Sequence, residues 1–242
     1  MEQYRLCPVG DRAVSVEFEN VISLTVNQKV RALVHTLAEK KHPGLVELVP
    51  SYRALLIVYD PLTLPLRRLE HLVETAVQHL DSVVMPRELV TEIPVLYEGE
   101  YGMDLEEIAR LENKTVEEVI RIHSQSDYYI YMLGFAPGHP YSARFENPFS
   151  FRRRSSPRVK IPGGSIVVQL DLSDIIPFEQ PCGWNIIGTT PLLVCDYRKP
   201  DPFLLRSGQW IRHIPIERNE FLEIRRQVEL GEYRLRTYEK EA

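Results

Sequence analysis

Cysteine is scarce in this chain. Its 242 residues hold only Cys7, Cys182 and Cys195, none in a Cys-x-x-Cys pair or near a histidine at zinc-finger spacing, which argues against a disulfide scaffold and a structural metal. They read as free thiols of a reducing compartment. Long apolar runs are missing as well, since no window approaches the roughly 20 apolar residues that span a bilayer. The opening residues MEQYRLCPVGDRAV show no basic stretch followed by an apolar one, so the expectation is a cytoplasmic protein with no membrane partner. Positive charge is not in excess. A net charge of −5 leaves no sequence-wide attraction for nucleic acid, and a polyanion site would need a local basic patch. Neither a GxxxxGK[ST] phosphate loop nor a GxGxxG turn after a strand occurs, so ATP, if used, is bound with a partner's help. Internal repeats and low-complexity segments are absent too.

What is present is an ordinary globular composition, 44% hydrophobic and 26% charged, at a length that suits two modest domains. In the first half, Val14, Val16 and Phe18 alternate with polar residues as in a strand with one buried face. Ser23 can cap a helix whose apolar stripe is Val26, Val30, Leu33, Val34 and Leu37. The β-prone runs Leu45 to Val49 and Ala54 to Tyr59 flank a turn and predict a hairpin. A second helix follows from Pro65 to Leu80, and Glu88 to Val95 supplies a last strand. The order βαββαβ predicts a split-βαβ, ferredoxin-like N-terminal domain over residues 1–96.

The turn-rich segment YEGEYG marks a boundary, and residues 97–242 read as a second domain. Asp104 with Glu107, and Thr115 with Glu118, have capping-box spacing and start two short helices, the second ending near His123 and Ser124. The runs YYIYML, SIVVQL, PLLVCDY and QWIRHIPI are short and β-like, which suggests a barrel or sandwich. Asn219 to Leu230 has a helical pattern with Gly231 as its stop.

Three segments can carry chemistry. GFAPGHPY, from Gly134, is stiff enough to hold its amides in unusual directions, or is only a tight corner. His139 within it can act as acid, base or ligand, although a lone loop histidine is by spacing alone better read as exposed. In SSPRVKIPGGS, Arg158 offers bidentate pairing and the amides of Gly163 and Gly164 offer a nest for a carboxylate or phosphate; a solvated basic loop is the alternative. In PCGW, no neighbour shows how the Cys182 thiol would be activated, and Trp184 is a packing residue or a flat wall for a ligand. His123, at a helix end, either complements the dipole or is catalytic. Ser165 lacks a nucleophile-elbow context.

Taken in order, VELVPSYRALLIVYD, EIPVLYEGEYGMDLEEIA, TVEEVIRIHS, YMLGFAPGHPY, SSPRVKIPGGS and PCGWNIIGTTP resemble, across nearly the whole chain, the family of KipI, the B-type 5-oxoprolinase subunits and allophanate hydrolase subunit 1. The resemblance implies an α+β protein, with a ferredoxin-like domain followed by a cyclophilin-like β-barrel and a C-terminal helix. It also implies a role in the ATP-dependent hydrolysis of 5-oxoproline to glutamate, together with KipA-like and LamB-like subunits. The alternative it offers is inhibition of a sporulation sensor histidine kinase. Related modules occur in urea-degrading, biotin-dependent enzymes. Expected substrate contacts are Arg158, Gly163, Gly164, Ser165, Trp184, Phe135 and His139, with His123, Arg158 and Ser165 as catalytic candidates and no metal. The chain also departs from the family pattern. His139 stands where Phe is usual, Leu172-Ser173-Asp174 where Gln-Thr-Gly is usual, Gly163 where Ala is usual, and Cys182 where Gly is usual.

Overall fold

In the computed structural model, which describes residues 4–144 and 149–240, the chain divides into units covering 1–86 and 87–242. The first is a four-stranded antiparallel sheet with two helices. Strands β1 (Arg5–Pro8), β2 (Ala13–Glu17), β3 (Leu45–Pro50) and β4 (Ala54–Tyr59) lie in the order β1-β2-β4-β3. Helix α1 (Leu24–Glu39) starts where Ser23 Oγ accepts the Val26 N–H at 3.2 Å, as a capping serine should. Its Val26, Val30, Leu33 and Leu37 pack with Val14, Val16, Leu55 and Ile57 of the sheet and with Leu69 and Val73 of α2 (Leu66–Val77). The buried Asn27 donates to the Ser51 and Tyr52 carbonyls at 3.0 and 3.2 Å, which ties α1 to the hairpin turn.

The expected sixth element of this unit lies elsewhere. Strand β5 (Leu89–Val95) forms, but it pairs in parallel with a strand far downstream and joins the second unit. The edge position that the last strand of a split-βαβ sheet would take, beside β2, is filled by β1, a strand too short to show a period in the sequence.

The second unit contains β5, α3 (Leu105–Leu111), α4 (Val116–Ser124), β6 (Asp127–Leu133), β7 (Pro140–Ala143), β8 (Arg158–Ile161), β9 (Ser165–Gln169), β10 (Leu172–Ile175), β11 (Gln180–Cys182), β12 (Asn185–Thr189), β13 (Trp210–Pro215), α5 (Arg218–Leu230) and β14 (Thr237–Glu239). Eight strands form one sheet in the order β12-β9-β10-β7-β6-β13-β5-β14, while β8 and β11 make a separate ribbon. This is a mixed α/β unit, and the described strands make no closed barrel. A single bridge between Leu96 and Thr189 joins the segment after β5 to β12. The run PLLVCDY forms no strand, only an isolated bridge from Cys195 to Phe203.

Period-2 alternation sorts the sheet residues onto two faces. Ile166 and Val168 of β9, Ile175 of β10, Ile211 of β13 and Tyr128 and Ile130 of β6 enter the main core with Ile108 and Val119 of the helices. Val167, Ile176 and Ile186 turn the other way and join Ile161 in a smaller cluster, against which Cys182 and Trp184 pack. Helix α4 carries the full Thr115/Glu118 capping box, and α5 ends on Gly231 in the left-handed region.

Candidate functional site

The expected site residues separate into four places. Phe135, His139 and Trp184 line one cavity of about 380 Å³, together with Tyr141, Asp174, Gln180, Cys182 and Arg153. Gly163, Gly164 and Ser165 line a different one of about 280 Å³, with Thr189, Thr190, Tyr101 and Phe221. Arg158 is held by a carboxylate, and His123 lies in the core.

The larger cavity lies against the smaller cluster, with Val167 and Ile176 in its wall. In the run before β7, Gly134 N–H donates to the His139 carbonyl at 3.1 Å and His139 N–H to the Ala136 carbonyl at 3.0 Å, which folds GFAPGH back on itself. Gly138, at φ +77°, lies so close to Cys195 that a Cβ would come within 2.9 Å of that residue's Cβ, so this corner requires glycine. The turn carries His139 inward. It is 6% exposed, which corrects the expectation of an exposed loop residue; Phe135, at φ +65°, is 76% exposed.

His139 Nε2 meets Asp174 Oδ2 at 3.1 Å, and Asp174 Oδ1 accepts the Ser142 N–H at 3.0 Å. Burial raises the Asp174 carboxyl above its ordinary value, and the bonds from His139 and Ser142 oppose that rise. In the neutral tautomer that donates Nε2–H to Asp174, Nδ1 is the acceptor, and it faces the Gln180 amide nitrogen at 3.4 Å. Cys182 Sγ accepts the Trp184 N–H at 3.3 Å, and burial pushes its thiol pKa up. It is therefore a protonated thiol at neutral pH and no activated nucleophile.

Arg158 does not present a free guanidinium. It grips Asp104 in a bidentate pair at 2.6 and 2.9 Å, and Asp104 also accepts from Arg154 at 3.0 Å and from the Ile186 N–H at 2.7 Å. This corrects two expectations together. The carboxylate read as a helix cap is spent on the arginines, so α3 has no side-chain cap, and the arginine read as an anion clamp fixes the chain near β8 to β12. Arg153, beside them in sequence, lines the cavity and pairs with no carboxylate among the described residues.

The Gly163–Gly164 nest is likewise modified. Gly164 N–H donates to the Ile176 carbonyl at 2.7 Å, Ser165 N–H reaches the Pro162 carbonyl at 3.4 Å, and Ser165 Oγ donates to that same carbonyl at 2.8 Å. These donors close a turn in which Gly164 has φ +84°. They are not aimed at a ligand.

His123 is fully buried. Its Nδ1 is 2.7 Å from Tyr97 Oη and its Nε2 2.7 Å from Ser173 Oγ, and its ring lies 4.2 Å from that of His213. Burial, and then the neighbouring His213, hold its pKa well below the usual value. Neither the dipole role nor the catalytic one suits a neutral imidazole sealed in the core.

Asp174, Gln180 and Arg153 were missed as site residues. An aspartate followed by Ile175-Ile176 in a β-prone run was the available signal for Asp174, since an acid there is either exposed or paired.

Comparison with known proteins agrees with this architecture. Residues 4–205 match the family described as "Carboxyltransferase domain, subdomain C and D", and the chain belongs to that family. Within it, the chain is 32% identical over 229 residues to a Bacillus subtilis protein named as the B-type subunit of 5-oxoprolinase, spanning 90% of this chain and 95% of that one. The crystal structure of TTHA0988 superposes with a TM-score of 0.75 at 34% identity over 85% of this chain, which spans only 40% of that longer protein. The Kluyveromyces lactis urea carboxylase shares the fold at 17% identity, with a TM-score of 0.77 over 98% of this chain and 24% of its own.

Proposed function

We propose that this chain is the B-type subunit of an ATP-dependent 5-oxoprolinase, acting with KipA-like and LamB-like subunits to open 5-oxoproline to glutamate. The observation that carries the reading is the 32% identity to the Bacillus subtilis protein, 95% of which is covered. A lactam amide is resonance-stabilised, so opening it calls for activation of the carbonyl, here by phosphorylation, and for fixed placement of an anionic intermediate. ATP is assigned to the assembled complex, because this chain has no phosphate loop. Substrate-side contacts on this chain are assigned to the cavity of Phe135, His139 and Trp184. On this reading the two units are modified forms of a ferredoxin-like and a cyclophilin-like domain.

Reconstitution of the purified chain with its KipA-like and LamB-like partners, ATP and 5-oxoproline is expected to release glutamate only when all three proteins are present. Unchanged release without this chain refutes the proposal. A sensor histidine kinase as partner is distinguished with the same preparation: reduced autophosphorylation on titration, with no glutamate release from the mixture, supports kinase inhibition instead.

A further inference from the structure

The larger cavity of the second unit has a use that packing does not explain. At one end the carboxylate of Asp174 and the imidazole of His139 are buried, 1% and 6% exposed, where apolar side chains would fill the space at less desolvation cost. Arg153 also lines it. Its neighbours Arg154 and Arg158 are both held by Asp104, whereas Arg153 has no carboxylate partner among the described residues. Trp184 and Tyr141 add aromatic surface to the lining. The volume, about 380 Å³, lies in the lower part of the range of small-molecule sites, and the mixture of apolar walls with a few polar groups is typical of them.

The polar groups define the ligand. An unpaired guanidinium selects a carboxylate, which it can bind through two parallel N–H bonds. The neutral His139 tautomer that donates Nε2–H to Asp174 keeps Nδ1 as an acceptor. Among the described residues the donor facing Nδ1 is the Gln180 amide at 3.4 Å, the outer limit of a hydrogen bond, so a better-placed N–H can replace it. We propose that this cavity binds a small cyclic carboxylate bearing an amide N–H, with the carboxylate on Arg153 and the N–H donated to His139 Nδ1. The choice of a lactam as that cyclic amide rests on the proposed 5-oxoprolinase role, whereas the anion and donor requirements come from the cavity.

Calorimetric titration of the full chain with 5-oxoproline tests this. Saturable binding of one molecule per chain is expected, weakened about tenfold or more by Arg153→Ala and similarly weakened when 2-pyrrolidinone, which lacks the carboxylate, or cyclopentanecarboxylate, which lacks the N–H, replaces it. Arg153 is exposed, so its removal leaves the fold intact, and circular dichroism and thermal melting check that. No saturable heat with 5-oxoproline, or equal affinity in Arg153→Ala, overturns the assignment. Binding in the isolated chain with no turnover in the three-protein mixture keeps the site and removes the enzyme reading. Turnover without binding, undisturbed by Arg153→Ala, does the reverse.

Discussion

Mild acid should weaken the second unit through the two adjacent imidazoles of its core. His213 is fully buried, and among the described residues neither of its ring nitrogens has a hydrogen-bond partner; burial lowers its pKa from 6.5 to about 3. Between those values the unfolded chain binds a proton that the folded chain refuses, so stability rises with pH across that window. It is fully present above about 6.5 and is lost progressively as pH falls towards about 3. One such group costs about 1.4 kcal/mol per pH unit, or about 2 kcal/mol on going from neutral pH to about pH 5. His123 acts with the same sign, because its pKa too is lowered. Asp174 acts with the opposite sign, because its pKa is raised. The wild-type chain and His213→Phe should therefore be compared by urea unfolding followed by tryptophan emission near neutral pH and at about pH 5. Phe is close in shape and removes two unsatisfied nitrogens, so the variant should be at least as stable at neutral pH and should lose about 2 kcal/mol less on acidification. Parallel pH dependence of the two proteins refutes the reasoning.

Asp104→Ala should cost about 2–4 kcal/mol, seen as a lower urea midpoint, because it strands the Ile186 N–H and removes the carboxylate shared by Arg154 and Arg158. Gly164→Ala should cost about 1–3 kcal/mol in the same assay, since its φ is +84° and a Cβ would come within 2.6 Å of the Thr190 carbonyl oxygen. Ser23→Ala should cost about 1 kcal/mol through the lost cap of α1.

Local signals made the helices legible. Ser23, the Thr115/Glu118 box and Gly231 all act within one turn of the residues they terminate, and α1, α4 and α5 begin or end where those residues stand. Partner choice between strands is not local. Nothing between Glu88 and Val95 indicates that Val90 will face Trp210, so β5 reads as the end of the first domain. Strands β8, β10, β11 and β12 are three to five residues long, too short for alternation to register. The same limit holds for the site. Arg153, Arg154 and Arg158 are equivalent in sequence, and only the position of Asp104 decides which is left facing the cavity. His139 is visible as a chemically able residue, whereas its burial depends on a turn closed by Gly138 against Cys195.

Strand β10 has a consequence for how this protein can change over generations. Ser173 points one way to His123, and Asp174 points the other way to His139. With Phe in place of His139 alone, Asp174 would keep one backbone donor and lose its imidazole. With Gly in place of Asp174 alone, a polar ring would remain buried with only the weak Gln180 contact, and the Ser142 N–H would lose its acceptor. Each single replacement leaves one member of the pair without its partner, whereas the double replacement removes both members and leaves only the Ser142 N–H in need of another acceptor. The histidine and the aspartate should therefore be inherited as a pair, and a descendant carrying one without the other should be rare.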